Sequence, residues 1–202
     1  MRTLLLVRHG TTPAVRRAAF PSDEPLDVTA RAAAAALAPT LGRIDTTYAS
    51  PARAAVETAH ALGHDPVATP DLADFDAGRW TGRSLAQVQD AEPDALADWL
   101  TDPDARPHGG ESLSALGRRV ARWLAAQVPL PPDRVIAVTH ATAIRAAVAD
   151  VLHLSHEATT RIDVAPLSVT EISVRAGRWR LGRLNWHLPA APRGQRAQRD
   201  AT

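Results

Sequence analysis

The sequence predicts an α/β layered fold built on a largely parallel sheet. Three observations carry this. Two short runs, Leu4–Val7 and Arg134–Val138, are apolar without alternation, as strands covered on both faces are. Stretches of helical period lie between the strand-like runs. A chain of 202 residues with 45% hydrophobic side chains is long enough to bury a full core as one domain.

The elements follow in order. Leu4–Val7 is a strand closed by Arg8. Thr11–Asp27, with its prolines, reads as a loop. Thr29–Leu41 is alanine-rich and helical, and Asp45–Ala49 is a second short strand. Ser50 before Pro51 predicts a helix start with an N-cap and a first-turn proline, the helix running to about Leu62 and ending at Gly63. Asp71–Gly82 is irregular, with glycines around Trp80. Ser84–Leu100 predicts one or two helices around Pro93, and Thr101–Gly110 a loop. Ser112–Val128 is an amphipathic helix with Leu113, Leu116, Val120, Trp123 and Leu124 on one face. After the Arg134–Val138 strand, Thr142–Leu154 is helical. Ile162–Val174 and Arg178–Trp186 alternate like strands around the turn Ala176-Gly177. The domain is expected to span residues 1–188, and the polar, proline- and arginine-rich residues 189–202 are expected to form a disordered tail.

Composition narrows the function. The formal net charge is +1, which provides no global field toward nucleic acid or a membrane surface. Lysine is absent, so every basic chain is an arginine, the better bidentate phosphate ligand. Cysteine is absent too, which excludes disulfides, thiolate metal sites and a cysteine nucleophile. The apolar run at the start is too short for a signal peptide core, and no stretch could span a bilayer, so a cytoplasmic protein is expected.

Two local patterns share one grammar. "LLLVRHG" and "VIAVTHAT" are each a buried strand that delivers a histidine into a turn. In open α/β sheets, ligands bind beyond the carboxyl ends of the strands. Neighbouring strands would bring His9 and His140 to one crevice, with Arg8 beside them and Arg53 pointing in from the next helix. Such a set of donors suits an oxyanion, above all a phosphoryl group. A neutral imidazole can attack phosphorus and carry the group covalently. The leaving alkoxide then needs an acid, for which Asp74 in "LADFDAGRWTG" is the candidate, with Asp76 and Glu111 behind it. The arginines supply the positive charge, so neither metal nor cofactor is expected. His60 and His64 have the spacing of a helical metal pair, but Gly63 lies between them and a helix end is the simpler reading. His108 precedes the paired glycines and could line the mouth, and Trp80 is the tryptophan placed best to touch substrate.

Taken together, these segments make the chain resemble the histidine phosphatase superfamily, in its phosphoglycerate mutase-like phosphatase branch. Arg8-His9-Gly10 matches the Arg-His-Gly that closes the family's first strand. "SPARAAVETA" is similar to its Ser-Pro-x-x-Arg-Ala-x-x-Thr-Ala, with one residue fewer before the arginine. "DFDAGRWTG" resembles its acid followed by Gly-x-Trp-x-Gly, with Asp74 in place of glutamate. Gly109 to Ser112 match Gly-Gly-Glu-Ser, and His140 matches the second histidine. The resemblance implies a three-layer α/β/α sandwich around a mixed, mostly parallel sheet. It implies His9 as the phosphorylated nucleophile, and Arg8, Arg53 and His140 as the phosphate pocket. It further implies Asp74 as proton donor and Glu111 as a residue that orients the pocket's basic groups. Thr12 keeps a family position, and Ala141 follows the second histidine at the site. Both are counted with the substrate-binding residues.

The departures refine this. Asp74 is one methylene shorter than glutamate, and Val15 stands where many relatives carry asparagine. The segment with an Arg-His-Tyr-Gly motif found in the mutases is missing from Asp90–His108, which favours a phosphatase. The expected function is hydrolysis of a small phosphorylated metabolite, with no nucleic-acid or membrane partner and a monomer or homodimer equally open. Phosphoglycerate mutase-like phosphoryl transfer and a non-catalytic phosphoryl-ligand binder are the alternatives.

Overall fold

A computed structural model of the protein describes residues 1–131 and 133–187. Its sheet has strands β1 (Thr3–Arg8), β2 (Thr46–Ala49), β3 (Val67–Ala68), β4 (Arg134–Thr139), β5 (Val169–Arg175) and β6 (Arg178–Trp186), in the order β3-β2-β4-β1-β5-β6. β3, β2, β4 and β1 pair in parallel. β5 is antiparallel to both β1 and β6, so it alone runs against the others. The sheet is mixed and mostly parallel, as expected.

Side-chain alternation along the two central strands builds the layers. Leu4, Leu6, Val135 and Ala137 face one side, where Leu116, Val120 and Leu124 of α6 (Leu113–Gln127) and Ile144 and Val148 of α7 (Ala141–Leu152) cover them. Leu5, Val7, Ile136 and Val138 face the other, against Ala34 of α2 (Val28–Leu37) and Ala55 and Ala59 of α3 (Arg53–Ala61). Both faces are dry, which is why the strands read as unbroken apolar runs. The result is the three-layer sandwich.

Some boundaries differ from expectation, for local reasons. The Thr11–Asp27 loop contains a one-turn helix, α1 (Pro13–Arg16), capped by the Thr12 hydroxyl, which accepts from the Val15 amide at 3.2 Å. The Ser84–Leu100 stretch divides into α4 (Leu85–Ala91) and α5 (Pro93–Thr101), and Pro93 sits in the first turn of the second. β5 begins only at Val169, because the preceding residues wrap the end of β1: the Leu167 amide donates to the Arg8 carbonyl at 3.1 Å and the Arg8 amide to the Ser168 carbonyl at 3.1 Å. A short helix, α8 (His156–Thr160), is started by the Ser155 hydroxyl, which accepts from the Ala158 amide at 3.3 Å, while the two-residue β3, exposed at the sheet edge, has no clear sequence signal. No described helix is long and apolar enough to cross a membrane. The tail expected at 189–202 lies outside the described residues.

Register places the site. Ala49 on β2 and Val7 on β1 both pair with Val138 on β4. The next residues, Ser50, Arg8 and Thr139, leave the sheet at one level, and His9 and His140 follow them at the carboxyl edge.

Candidate active site

His9 is held first by its own backbone turn. Its amide donates to the Thr139 carbonyl at 2.9 Å, and its Nδ1 lies 2.7 Å from the Gly10 carbonyl oxygen. A carbonyl only accepts, so Nδ1 carries the ring proton and Nε2 keeps its lone pair. Burial, then the neighbouring His140, push the His9 pKa down to about 4, so the ring is neutral at physiological pH. The two imidazoles stand edge to face, centroids 4.9 Å apart. His140 shares a 2.8 Å hydrogen bond between its Nε2 and the Ser50 hydroxyl, and burial lowers its pKa to about 4 as well.

Ser50 therefore does not cap a helix. α3 starts at Arg53, after Ala52 and without a side-chain cap, while the fully buried Ser50 hydroxyl serves His140 and accepts from the Ala52 amide at 3.2 Å.

Arg8 anchors one guanidinium nitrogen on the Val164 carbonyl at 2.6 Å, while its Nε is buried without a partner. Burial and the nearby Arg145 lower its pKa, yet a guanidinium stays charged. An unsatisfied, partly desolvated cation of this kind favours an anion strongly. α7 adds to the same potential. It begins at Ala141 with no side-chain cap, and Ala141 and Thr142 line the cleft, so the positive end of the helix lies against it.

Asp74 stands opposite. Its Oδ2 is 3.6 Å from His140 Nδ1 and its Oδ1 accepts from the Phe75 amide at 3.0 Å. Burial raises its pKa above the ordinary carboxylate value, against the pull of that amide. With His140 neutral, the pair is not an ion pair, and Asp74 is suited to keep or regain a proton.

The loop that carries Asp74 runs between two single 3-10 turns, Pro70–Leu72 and Gly78–Trp80, and distant groups hold it. Arg119 on α6 donates to the Asp71 carbonyl at 2.8 Å and the Asp74 carbonyl at 2.9 Å. Glu111 grips the same guanidinium from the other side, at 2.9 and 2.8 Å. A second strap joins residues 76–78 to 108–110. The Glu111 amide donates to the Asp76 carbonyl at 2.8 Å and the Arg79 amide to the His108 carbonyl at 3.0 Å. A Cβ on Gly110 would fall 2.0 Å from the Asp76 oxygen, and one on Gly78 would fall 2.2 Å from the His108 oxygen. The glycines are there because two backbones touch.

These groups meet in a cleft of about 800 Å³ lined by Arg8, His9, Thr12, Asp74, His140 and Ala141, among others. Arg53 does not reach it. Its side chain is 58% exposed and pairs with Glu57 at 2.8 Å, while its neighbour Ala54 lines the wall. One residue of helix turns a side chain by about 100°, and the shortened spacing after Ser50-Pro51 aims Arg53 outward. Glu111 is likewise outside the cleft and orients Arg119 rather than Arg8. Trp80 is fully buried, and Phe20, Phe75 and Trp99 form the wall instead. His108 is buried against Phe75 and Trp80, and its Nδ1 accepts from the Gly110 amide at 3.0 Å. His60 lies 3.6 Å from Asp65 at the end of α3, and among the described residues no three metal-ligating side chains gather.

A mostly parallel sheet sets a free imidazole nitrogen, a second imidazole and an arginine at its carboxyl edge, with a carboxyl facing them, a group of side chains suited to a phosphoryl ligand. The chain belongs to the histidine phosphatase superfamily (branch 1), whose profile matches residues 4–187. It is 28% identical to a mycobacterial glucosyl-3-phosphoglycerate phosphatase solved with VO3, with a TM-score of 0.82, covering 92% of this chain and 100% of that one. Over 180 residues it is 31% identical to the bifunctional protein Rv2228c of Mycobacterium tuberculosis, covering 83% of this chain and 50% of that protein. The chain thus spans about half the length of the first curated relatives it matches. It is also 28% identical over 189 residues to a Cronobacter sakazakii protein named "Probable phosphoglycerate mutase GpmB", covering 89% of this chain and 88% of that one.

Proposed function

We propose that the protein hydrolyses a small phosphorylated metabolite in the cytoplasm through a phosphohistidine on His9. The observation that carries this is the His9 ring: Nδ1 tied to the Gly10 carbonyl, Nε2 unbonded in the cleft, and a pKa near the bottom of the histidine range at about 4. In the first step Nε2 attacks phosphorus and the bond to the ester oxygen breaks. Asp74 gives that oxygen its proton, and the alcohol leaves. Arg8 and the positive N-terminal end of α7 balance the charge on the phosphoryl oxygens, and the neutral His140 ring contributes a hydrogen bond rather than a charge. In the second step water attacks phosphorus, Asp74 takes its proton, and the P–N bond returns its electrons to Nε2. The protein's own donors supply the positive charge, so the reaction needs no metal.

The test is turnover of an aryl phosphate and an alkyl phosphate in EDTA, with His9→Ala alongside. Turnover that survives the chelator and vanishes in His9→Ala supports the reading. Tight phosphate binding without turnover would replace it with a phosphoryl-ligand binder. Rapid transfer of the group to a second alcohol, faster than to water, would replace it with a mutase.

A further inference from the structure

We infer that the cleft selects phosphomonoesters of uncharged, bulky apolar alcohols, aromatic ones above all, and rejects those with a second anionic group. This rests on the phosphatase reading and adds the substrate class to it.

Charge is partitioned sharply along the cleft. Among the described residues Arg8 is the only basic side chain apart from the histidines in the lining, against three carboxylates: Asp74 beside His140, and Asp23 and Asp76, both exposed at the solvent side. Neither Asp23 nor Asp76 has an ion-pair partner among the described residues; they accept from the backbone amides of Arg53 and Gly78. The arginines near the rim are already engaged. Arg16 pairs with Asp27 at 2.6 Å, Arg17 with Glu24 at 2.9 Å, Arg53 with Glu57 at 2.8 Å and Arg83 with Glu92 at 2.7 Å, and Arg79 also holds Glu92. A carboxylate or second phosphate on the leaving group would meet acidic neighbours; Arg145, near enough to Arg8 to lower its pKa, has no carboxylate partner among the described residues but is not part of the lining.

The rest of the wall is apolar. Val15, Phe20, Phe75, Leu85 and Trp99 line it, and Leu85 is 43% exposed there. Phe20 and Phe75 stand edge-on to, or tilted against, Trp99, with centroids 5.5 and 5.6 Å away, so the aromatic wall is prearranged. A space of about 800 Å³ far exceeds a phosphate and suits a drug-sized body. Val15 is the residue that sets this character on α1: a polar or basic side chain there would enter the same wall.

The test compares kcat/KM of the full chain for 2-phenylethyl phosphate, ethyl phosphate and 3-phosphoglycerate, all of which leave as primary alkoxides. The phenylethyl ester is expected to exceed the ethyl ester by at least about tenfold, since burying a ring favours it. It is expected to exceed 3-phosphoglycerate by about a hundredfold, through repulsion at the acidic mouth. Val15→Arg is expected to lower the phenylethyl rate and raise the phosphoglycerate rate, closing their ratio by about tenfold. Equal rates for the two uncharged esters, or a preference for 3-phosphoglycerate, would overturn the inference while leaving a working phosphatase. Turnover of none of the three would overturn the phosphatase reading itself, and the inference with it. The wild-type ratios decide the matter even if Val15→Arg does not fold.

Discussion

The two sides of the cleft are made in different ways. The phosphoryl side is an extension of the sheet: His9, Arg8, His140 and Ser50 leave three adjacent parallel strands at one level, and the register fixes them. The acid side is a loop. Asp74 is where it is because Arg119 holds two loop carbonyls, Glu111 holds Arg119, and two glycine-lined backbones touch. The sheet side gains its order from core packing that the whole protein shares. The acid side depends on side-chain hydrogen bonds: two from the Arg119 guanidinium, which Glu111 holds through two more, and one from the Thr139 hydroxyl to the Leu72 carbonyl at 2.5 Å. The proposed nucleophile is therefore robust and the proposed acid vulnerable.

Substitutions can break or sharpen this contrast. The largest effect after loss of His9 is expected from Asp74→Asn. It should lower kcat for an alkyl phosphate by about 10²–10⁴-fold, as loss of a general acid does, and much less for an aryl phosphate with its better leaving group. The same variant should lose the basic limb of the kcat/KM profile, because Asp74 must be protonated to act and its pKa is raised by burial. Next comes Arg119→Met. It leaves Glu111 and two carbonyls without their donor, so stability should fall by about 2 kcal/mol in urea unfolding. Its kcat should fall by about tenfold or more for alkyl esters, because a misplaced acid loses rate steeply. Aryl esters, which ask little of the acid, should be nearly spared. Loss on both ester types alike would mean that Arg119 supports the sheet side too.

A pH experiment sharpens the other half. The folded pKa values of His9 and His140 lie near 4, below the ordinary 6.5. The unfolded chain therefore takes up protons first as pH falls. Stability from these rings is complete above about pH 6.5 and is lost progressively down to about pH 4, by a few kcal/mol in all. Urea unfolding across that range should show the decline, and His9→Ala should flatten part of it. The smallest effect is expected from Arg53→Ala. An exposed i,i+4 pair contributes well under about 1 kcal/mol, and kcat/KM should change less than about threefold. A large loss of activity would show that Arg53 swings into the cleft when substrate binds.

The contrast also decides what the sequence could tell. His9, His140 and Arg8 were legible because an unbroken apolar run that ends in a charged turn has one simple placement, at a strand's carboxyl end. The three layers followed from the same runs and the helices between them. Arg53 was misplaced because motif spacing identifies a helix but not its phase, and a slip of one residue carries a side chain from cleft to solvent. The sequence marks Glu111 as a residue that orients basic groups but names no partner for it. Its partner, Arg119, leaves only a faint trace: it flanks the apolar stripe of α6, three residues after Leu116 and four before Trp123. Ser50 before Pro51 looks like a local cap, while its contact with His140 spans 90 positions, which no local pattern encodes.

The most direct test of the account is to trap the intermediate. Protein quenched in alkali during turnover of a ³²P-labelled alkyl phosphate should carry label that survives base and is released by acid, as a phosphohistidine is. That label should map to His9 and be absent from His9→Ala. Turnover by the wild type with no trapped label in single-turnover quenching, or label that stays when His9 is gone, would contradict the assignment of His9 as the nucleophile.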